Sequence, residues 1–71
     1  MSNKAREFDV ELVDSSNTQL DVVVNKKVVG SVIDTQTGDF RAVNVRSQNL
    51  GSAHTQEIAI QMVISDFNLN N

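Results

Sequence analysis

Apolar and polar positions alternate with period two where the chain first becomes patterned: Phe8, Val10 and Leu12 are interleaved with Asp9 and Glu11. That spacing predicts a half-buried strand. Asp14-Ser15-Ser16-Asn17-Thr18 breaks the pattern with side chains that compete for local backbone groups. Leu20 to Val24 and Val28 to Ile33 are Val-rich runs on either side of Asn25-Lys26-Lys27, which predicts a hairpin. Gly30, inside the second run, marks a bulge or the close approach of another element. Asp34-Thr35-Gln36-Thr37-Gly38-Asp39 reads as the next hairpin turn, and Phe40 to Val45 as the strand after it. Arg46 to Asn49 ends that strand, and Leu50-Gly51-Ser52-Ala53-His54 reads as the connection to a helix.

The helix prediction spans Gln56 to Phe67, with Thr55 as N-cap and Glu57 in the first turn, where a negative charge opposes the dipole favourably. Ala59, Val63 and Phe67 recur at helical spacing, Ile58 and Met62 lie alongside, and Asn68 to Asn71 supplies a polar stop. Short connections favour antiparallel neighbours. The predicted class is α+β: an antiparallel meander of three or four strands with one C-terminal helix packed on one face, in the order β-β-β-β-α. Residues 1–6 read as a polar leader and residues 7–71 as a single domain.

The predicted helix is apolar on more than one side. A helix lying on one sheet needs an apolar arc of ~100° or somewhat more. Here Ile60 and Ile64 continue past that arc and leave Glu57, Gln61, Ser65 and Asn68 as a narrow polar stripe. The surplus is explained if the first strand or the tail wraps over Ile60 and Ile64, or if one of them stays exposed. It is also explained by a homodimer in which these residues meet their own copies or the sheet extends edge to edge.

Composition narrows the reading. A 71-residue chain makes one domain, and a core of that size rarely supplies more than ~3–5 kcal/mol. With no Cys, disulfides and thiolate metal sites are excluded. Nine Asp and Glu against six Lys and Arg give a net charge of −3, the opposite sign from most phosphate binders. No apolar run is long enough to span a membrane. The polar start, Met1 to Arg6, lacks a signal core, so a cytoplasmic protein is expected.

Few residues suggest chemistry. Ser52, His54 and Thr55 are too close in sequence to point at one another, so His54 reads as a capping or solvent-facing residue. Asp34, Gln36 and Asp39 around Gly38 lack the spacing of a Ca²⁺ loop. Lys26 and Lys27 at a hairpin tip, with Arg41 and Arg46 in or after the next strand, could form one basic sheet edge that contacts nucleic acid. They equally serve as solvated charges that keep strand edges from aggregating. With no Tyr or Trp, a base-stacking sheet is not expected.

Two resemblances follow from particular residues. Asn25 to Val32, then Glu57-Ile58-Ala59-Ile60 and Ser65-Asp66-Phe67-Asn68-Leu69, resemble a family of short uncharacterised cytoplasmic proteins from lactic acid bacteria and relatives. That family has a Gly-Lys-Lys-like turn leading to an Ile-Gly pair and a helix closing on Tyr-Asn-Leu; here Asn25 stands for the Gly and Phe67 for the Tyr. The resemblance implies a stand-alone cytoplasmic protein and no activity. Leu50-Gly51-Ser52 with Thr55, Glu57 and Ala59 also resembles the strand-to-helix junction of three-stranded DNA-binding domains in integrase arms and ethylene-response factors. Arg41 and Arg46 are the positions that would carry over, and the family's Trp has no counterpart.

The expectation is therefore a non-enzymatic protein–protein interaction module of the adaptor or inhibitor type, encoded by a bacterium or phage, with a protein partner and a homodimer in view. The alternative is a nucleic-acid-binding domain using the basic edge. No cofactor, metal or membrane is expected.

Overall fold

Segments such as Val22-Val23-Val24 and Val28-Val29 carry β-branched side chains that pack well on a pleated surface and are stiff in a helix. They form the middle of the sheet. The computed structural model describes residues 9–70. It contains β1 (Val10–Asp14), β2 (Gln19–Val24), β3 (Lys27–Asp34), β4 (Phe40–Asn44), β5 (Asn49–Ala53) and α1 (Gln56–Asn70). The strands lie in one sheet in the order β1-β2-β3-β4-β5, each antiparallel to the next. The α+β meander with a C-terminal helix is what the pattern predicted. The leader, residues 1–6, together with Phe8 and Asn71, lies outside the described residues.

The strand count is corrected to five. Leu50 to Ala53 reads as a connection because Gly51 and Ser52 interrupt the apolar pattern, yet it pairs with β4 as an edge strand. Ala42 opposes Gly51 and Val43 opposes Asn49, so Leu50 is an inserted residue. Gly51 takes φ +130°, which a residue with a Cβ rarely adopts, and its N–H donates to Asn49 Oδ1 at 3.0 Å. The insertion lets Leu50 pack against the core.

The core lies between one sheet face and α1. Val22, Val24, Val29, Val32 and Ala42 meet Ala59 and Val63 from the helix, all buried. Val22 opposes Gly30 and Val23 opposes Val28, so Val29 is a second inserted residue and the sheet bends beneath the helix. Thr55 caps α1: the Ile58 N–H donates to Thr55 Oγ1 and the Ala59 N–H to the Thr55 carbonyl, both at 3.2 Å. The helix runs through Asn70, beyond the stop expected at Asn68. Asn costs a helix well under 1 kcal/mol per residue, and Asn68-Leu69-Asn70 contains no Gly or Pro to break it.

The first strand departs from expectation as well. All five residues of β1 are exposed, where alternation predicted a half-buried strand. The helix lies over β3, β4 and β5, touches β2, and does not reach β1.

Candidate interaction surface

The backbone of β1 is built for pairing on both sides and, among the described residues, is paired on one. Two hydrogen bonds set its phase. The Asn25 N–H donates to the Asp9 carbonyl at 2.9 Å, and the Ser15 N–H donates to the Gln19 carbonyl at 2.8 Å. These are directly opposed residues in the β1–β2 register, in which Val10 faces Val24 and Asp14 faces Leu20. Hydrogen-bonded pairs alternate along an antiparallel ladder. Glu11 and Val13 therefore turn their backbone groups towards β2, while Val10, Leu12 and Asp14 turn theirs to the outer edge. The Asn25 side chain reinforces the start of the strand, its Oδ1 accepting from the Asp9 N–H at 3.1 Å.

β1 carries apolar side chains on both faces. Val10 and Leu12 oppose the core residues Val24 and Val22, so they lie on the helix-bearing face. Val13 lies on the other face, opposite Asp21. Val10 is 41%, Leu12 48% and Val13 48% exposed, and no element among the described residues covers them. A regular edge strand with three exposed large apolar residues offers both hydrogen bonds and apolar area. The opposite edge, β5, is interrupted by the inserted Leu50 and is a poorer template.

Ile60 and Ile64 are partly buried and pack against the core. Met62 sits over Gly51 of β5. At 100° per residue, Ile60 and Ile64 fall on the flank opposite Met62, the side of α1 towards β2. They border the helix side of the apolar strip that ends in Leu12 and Val10. The most exposed helix apolar residues are Ile58 and Leu69, at 51% and 85%. The first strand does not wrap over Ile60 and Ile64, since α1 and β1 make no contact.

The four basic candidates do not form one edge. Lys26 is in the β2–β3 turn and Lys27 begins β3. The β4–β5 turn, which carries Arg46, lies at the same end of the sheet, because Gly30 opposes Asn44. Lys27 and Arg46 line a shallow cleft there with Asp66 and Phe67 from the end of α1. The last turn of α1 itself contains no basic residue; Lys27 and Arg46 are brought to this cleft by the two neighbouring turns. Arg41 stands apart on the helix-free face, opposite Ile33 and Ser52. Ile33 is six residues along β3 from Lys27, about 20 Å at strand rise.

The turns are organised by local hydrogen bonds. Asp34 Oδ1 accepts from the Gln36 N–H at 2.8 Å, and Thr35 Oγ1 donates to the Asp39 carbonyl at 3.0 Å, so the segment around Gly38 is a hairpin turn as expected. Asn44 Oδ1 accepts from the N–H groups of Arg46 and Gln48, each at 2.9 Å. His54 is 92% exposed, with Nδ1 3.4 Å from Asp39. On the helix-free face, Ser31 Oγ donates to Asp21 Oδ1 at 2.8 Å, and the Gln19 amide lies 3.4 Å from both. Among the described residues, no group of three or more His, Cys, Asp or Glu could hold a metal ion. No helix among them is long and apolar enough to cross a membrane.

The sequence profile of a protein family of unknown function, DUF2969, matches residues 1–70. The chain belongs to that family. Its membership bears out the resemblance to uncharacterised small proteins, and it brings no activity with it. No curated protein and no solved structure matches the chain.

Within this DUF2969 chain, sequence reasoning missed β1 as the open edge. The available signal was Val13, an apolar residue out of phase with Val10 and Leu12.

Proposed function

We propose that this chain is a non-enzymatic protein–protein interaction module, acting in the cytoplasm, that engages its partner through β1. The observation carrying the reading is the strand itself: every residue is exposed, Val10, Leu12 and Val13 among them, and one row of backbone groups faces away from the sheet. Addition of a strand to such an edge is a recurring mode of protein recognition, with main-chain bonds supplying affinity and alternate side chains supplying selectivity. Ile60 and Ile64, on the flank of α1 nearest that strip, extend the apolar area a partner would meet.

A second reading is nucleic-acid binding. It is favoured by the gathering of Lys26, Lys27 and Arg46 at one end of the sheet. Two features weigh against it: Arg41 is remote from the other three, and Asp66 shares their cleft. Affinity capture of the tagged full chain, with and without nuclease, separates the readings. A protein that survives nuclease and is lost on Leu12→Pro supports β1 docking. Partners that vanish with nuclease and weaken steeply with salt support phosphate contacts.

A further inference from the structure

The open edge of β1 is complementary to itself. Val10, Leu12 and Asp14 face outward, so an antiparallel copy pairs fully only where those three residues oppose one another. Of the symmetric registers, the one centred on Leu12 achieves this. Leu12 then faces Leu12 of the copy, Val10 faces Asp14, and Asp14 faces Val10. Each of these pairs exchanges two main-chain hydrogen bonds. Glu11 falls opposite Val13 of the copy, so no carboxylate directly opposes another. Shifting the centre to Glu11 sets two carboxylates face to face and leaves Asp14 unpaired. Shifting it to Val13 leaves Val10 unpaired. Like charges directly opposed destabilise a strand pair, which selects the Leu12 register.

We propose that the occupant of this edge is a second copy of the chain, giving a two-fold dimer with one continuous sheet and both helices on the same face. This deepens the β1 docking reading and rests on it. The arrangement is isologous, as a two-fold interface must be. It brings the Val10 and Leu12 side chains of both copies together as the floor between the two helices, whose facing flanks carry Ile60 and Ile64. The β5 edge does not compete on equal terms, because the inserted Leu50 breaks its pairing.

The test uses the full chain. Sedimentation equilibrium from micromolar to millimolar concentration is expected to show a reversible monomer–dimer transition. In Leu12→Pro that transition is lost with helix content unchanged, because the Leu12 N–H faces outward and makes no bond to β2. A second variant covers a failure of Leu12→Pro to fold. The chain has no cysteine, so Leu12→Cys introduces its sole thiol. Directly opposed residues in such a pair lie about 5.5 Å apart at Cα, a span a disulfide bridges. Under oxidised glutathione, Leu12→Cys is expected to cross-link at least about tenfold faster than Val45→Cys, whose residue is exposed near the β4–β5 turn. Equal rates, or a monomer at millimolar concentration, overturn the dimer. If the chain is monomeric and Leu12→Pro still abolishes capture of another protein, self-pairing fails and β1 docking stands. If capture is unchanged as well, both fail.

Discussion

Val63 stands directly over Gly30. A Cβ built on Gly30 would lie 2.5 Å from Val63 Cγ1 and 2.5 Å from the Val43 carbonyl oxygen. The glycine is what lets α1 descend onto β3, and Val63 is fully buried as a result. One obstacle is backbone of the neighbouring strand, so a side chain there cannot be accommodated by a rotamer change. Overpacking costs typically ~1–3 kcal/mol, and Gly30→Ala is expected at or above the upper end. Against the modest stability of so small a core, that leaves much of the chain unfolded at 37 °C in a urea or thermal melt. The Val63→Ala background removes one of the two clashes, so Gly30→Ala is expected to cost less there than alone; equal costs in both backgrounds would show that Val63 does not press on Gly30.

The β2–β3 turn holds two residues in the left-handed region, Asn25 at φ 53° and Lys26 at φ 69°. A two-residue hairpin turn of this kind prefers Asn then Gly. Asn25 fits and Lys26 does not. The left-handed conformation costs a residue with a Cβ ~1–2 kcal/mol, and added freedom in the unfolded chain returns ~0.4–1 kcal/mol of the gain. Lys26→Gly is therefore expected to raise stability by about 0.5–1 kcal/mol, seen as a melting temperature several degrees higher. Lys27→Gly, inside β3, is expected to lower it.

Asn44 organises the β4–β5 turn through two accepted N–H bonds and a 2.8 Å bond from its amide to Gln48 Oε1. Asn44→Ala is expected to cost about 1–2 kcal/mol, since each such bond is worth about 0.5–1.5 kcal/mol and water replaces part of the loss. Faster amide exchange at Arg46 and Gln48 identifies the cause. Unchanged exchange there would contradict the role given to Asn44.

Thr55→Ala is expected to destabilise by about 1 kcal/mol through loss of the cap on Ile58, with Thr55→Asp close to wild type. Denaturant unfolding with an unchanged m-value is the check. A variant as stable as wild type would show that water replaces the cap at no cost.

Legibility followed the strength of the local signal. The Val-rich hairpin, the Thr55 cap and the helical spacing of Ala59, Val63 and Phe67 were each readable because one neighbouring segment determines them. Gly30 was readable as a bulge or close approach, and both occur: the register shifts beside it and the helix packs on it. β5 was not readable, because Leu50-Gly51-Ser52-Ala53 becomes a strand only when β4 is there to pair with it. The exposure of β1 was not readable either, since it depends on how far one helix reaches across five strands. The basic residues were correctly found on turns and strands, but their separation depends on register: a strand's length along β3 parts Arg41 from Lys27.

The free edge of β1 is tested most directly by residue-resolved amide exchange on the full chain at several concentrations. Glu11 and Val13, bonded to β2, are expected to be protected throughout. Val10, Leu12 and Asp14 are expected to exchange freely when dilute and to become protected together as concentration rises. Protection of those three that is the same at every concentration would mean the edge is already covered within one chain. Free exchange persisting at millimolar concentration would mean that no copy pairs with it.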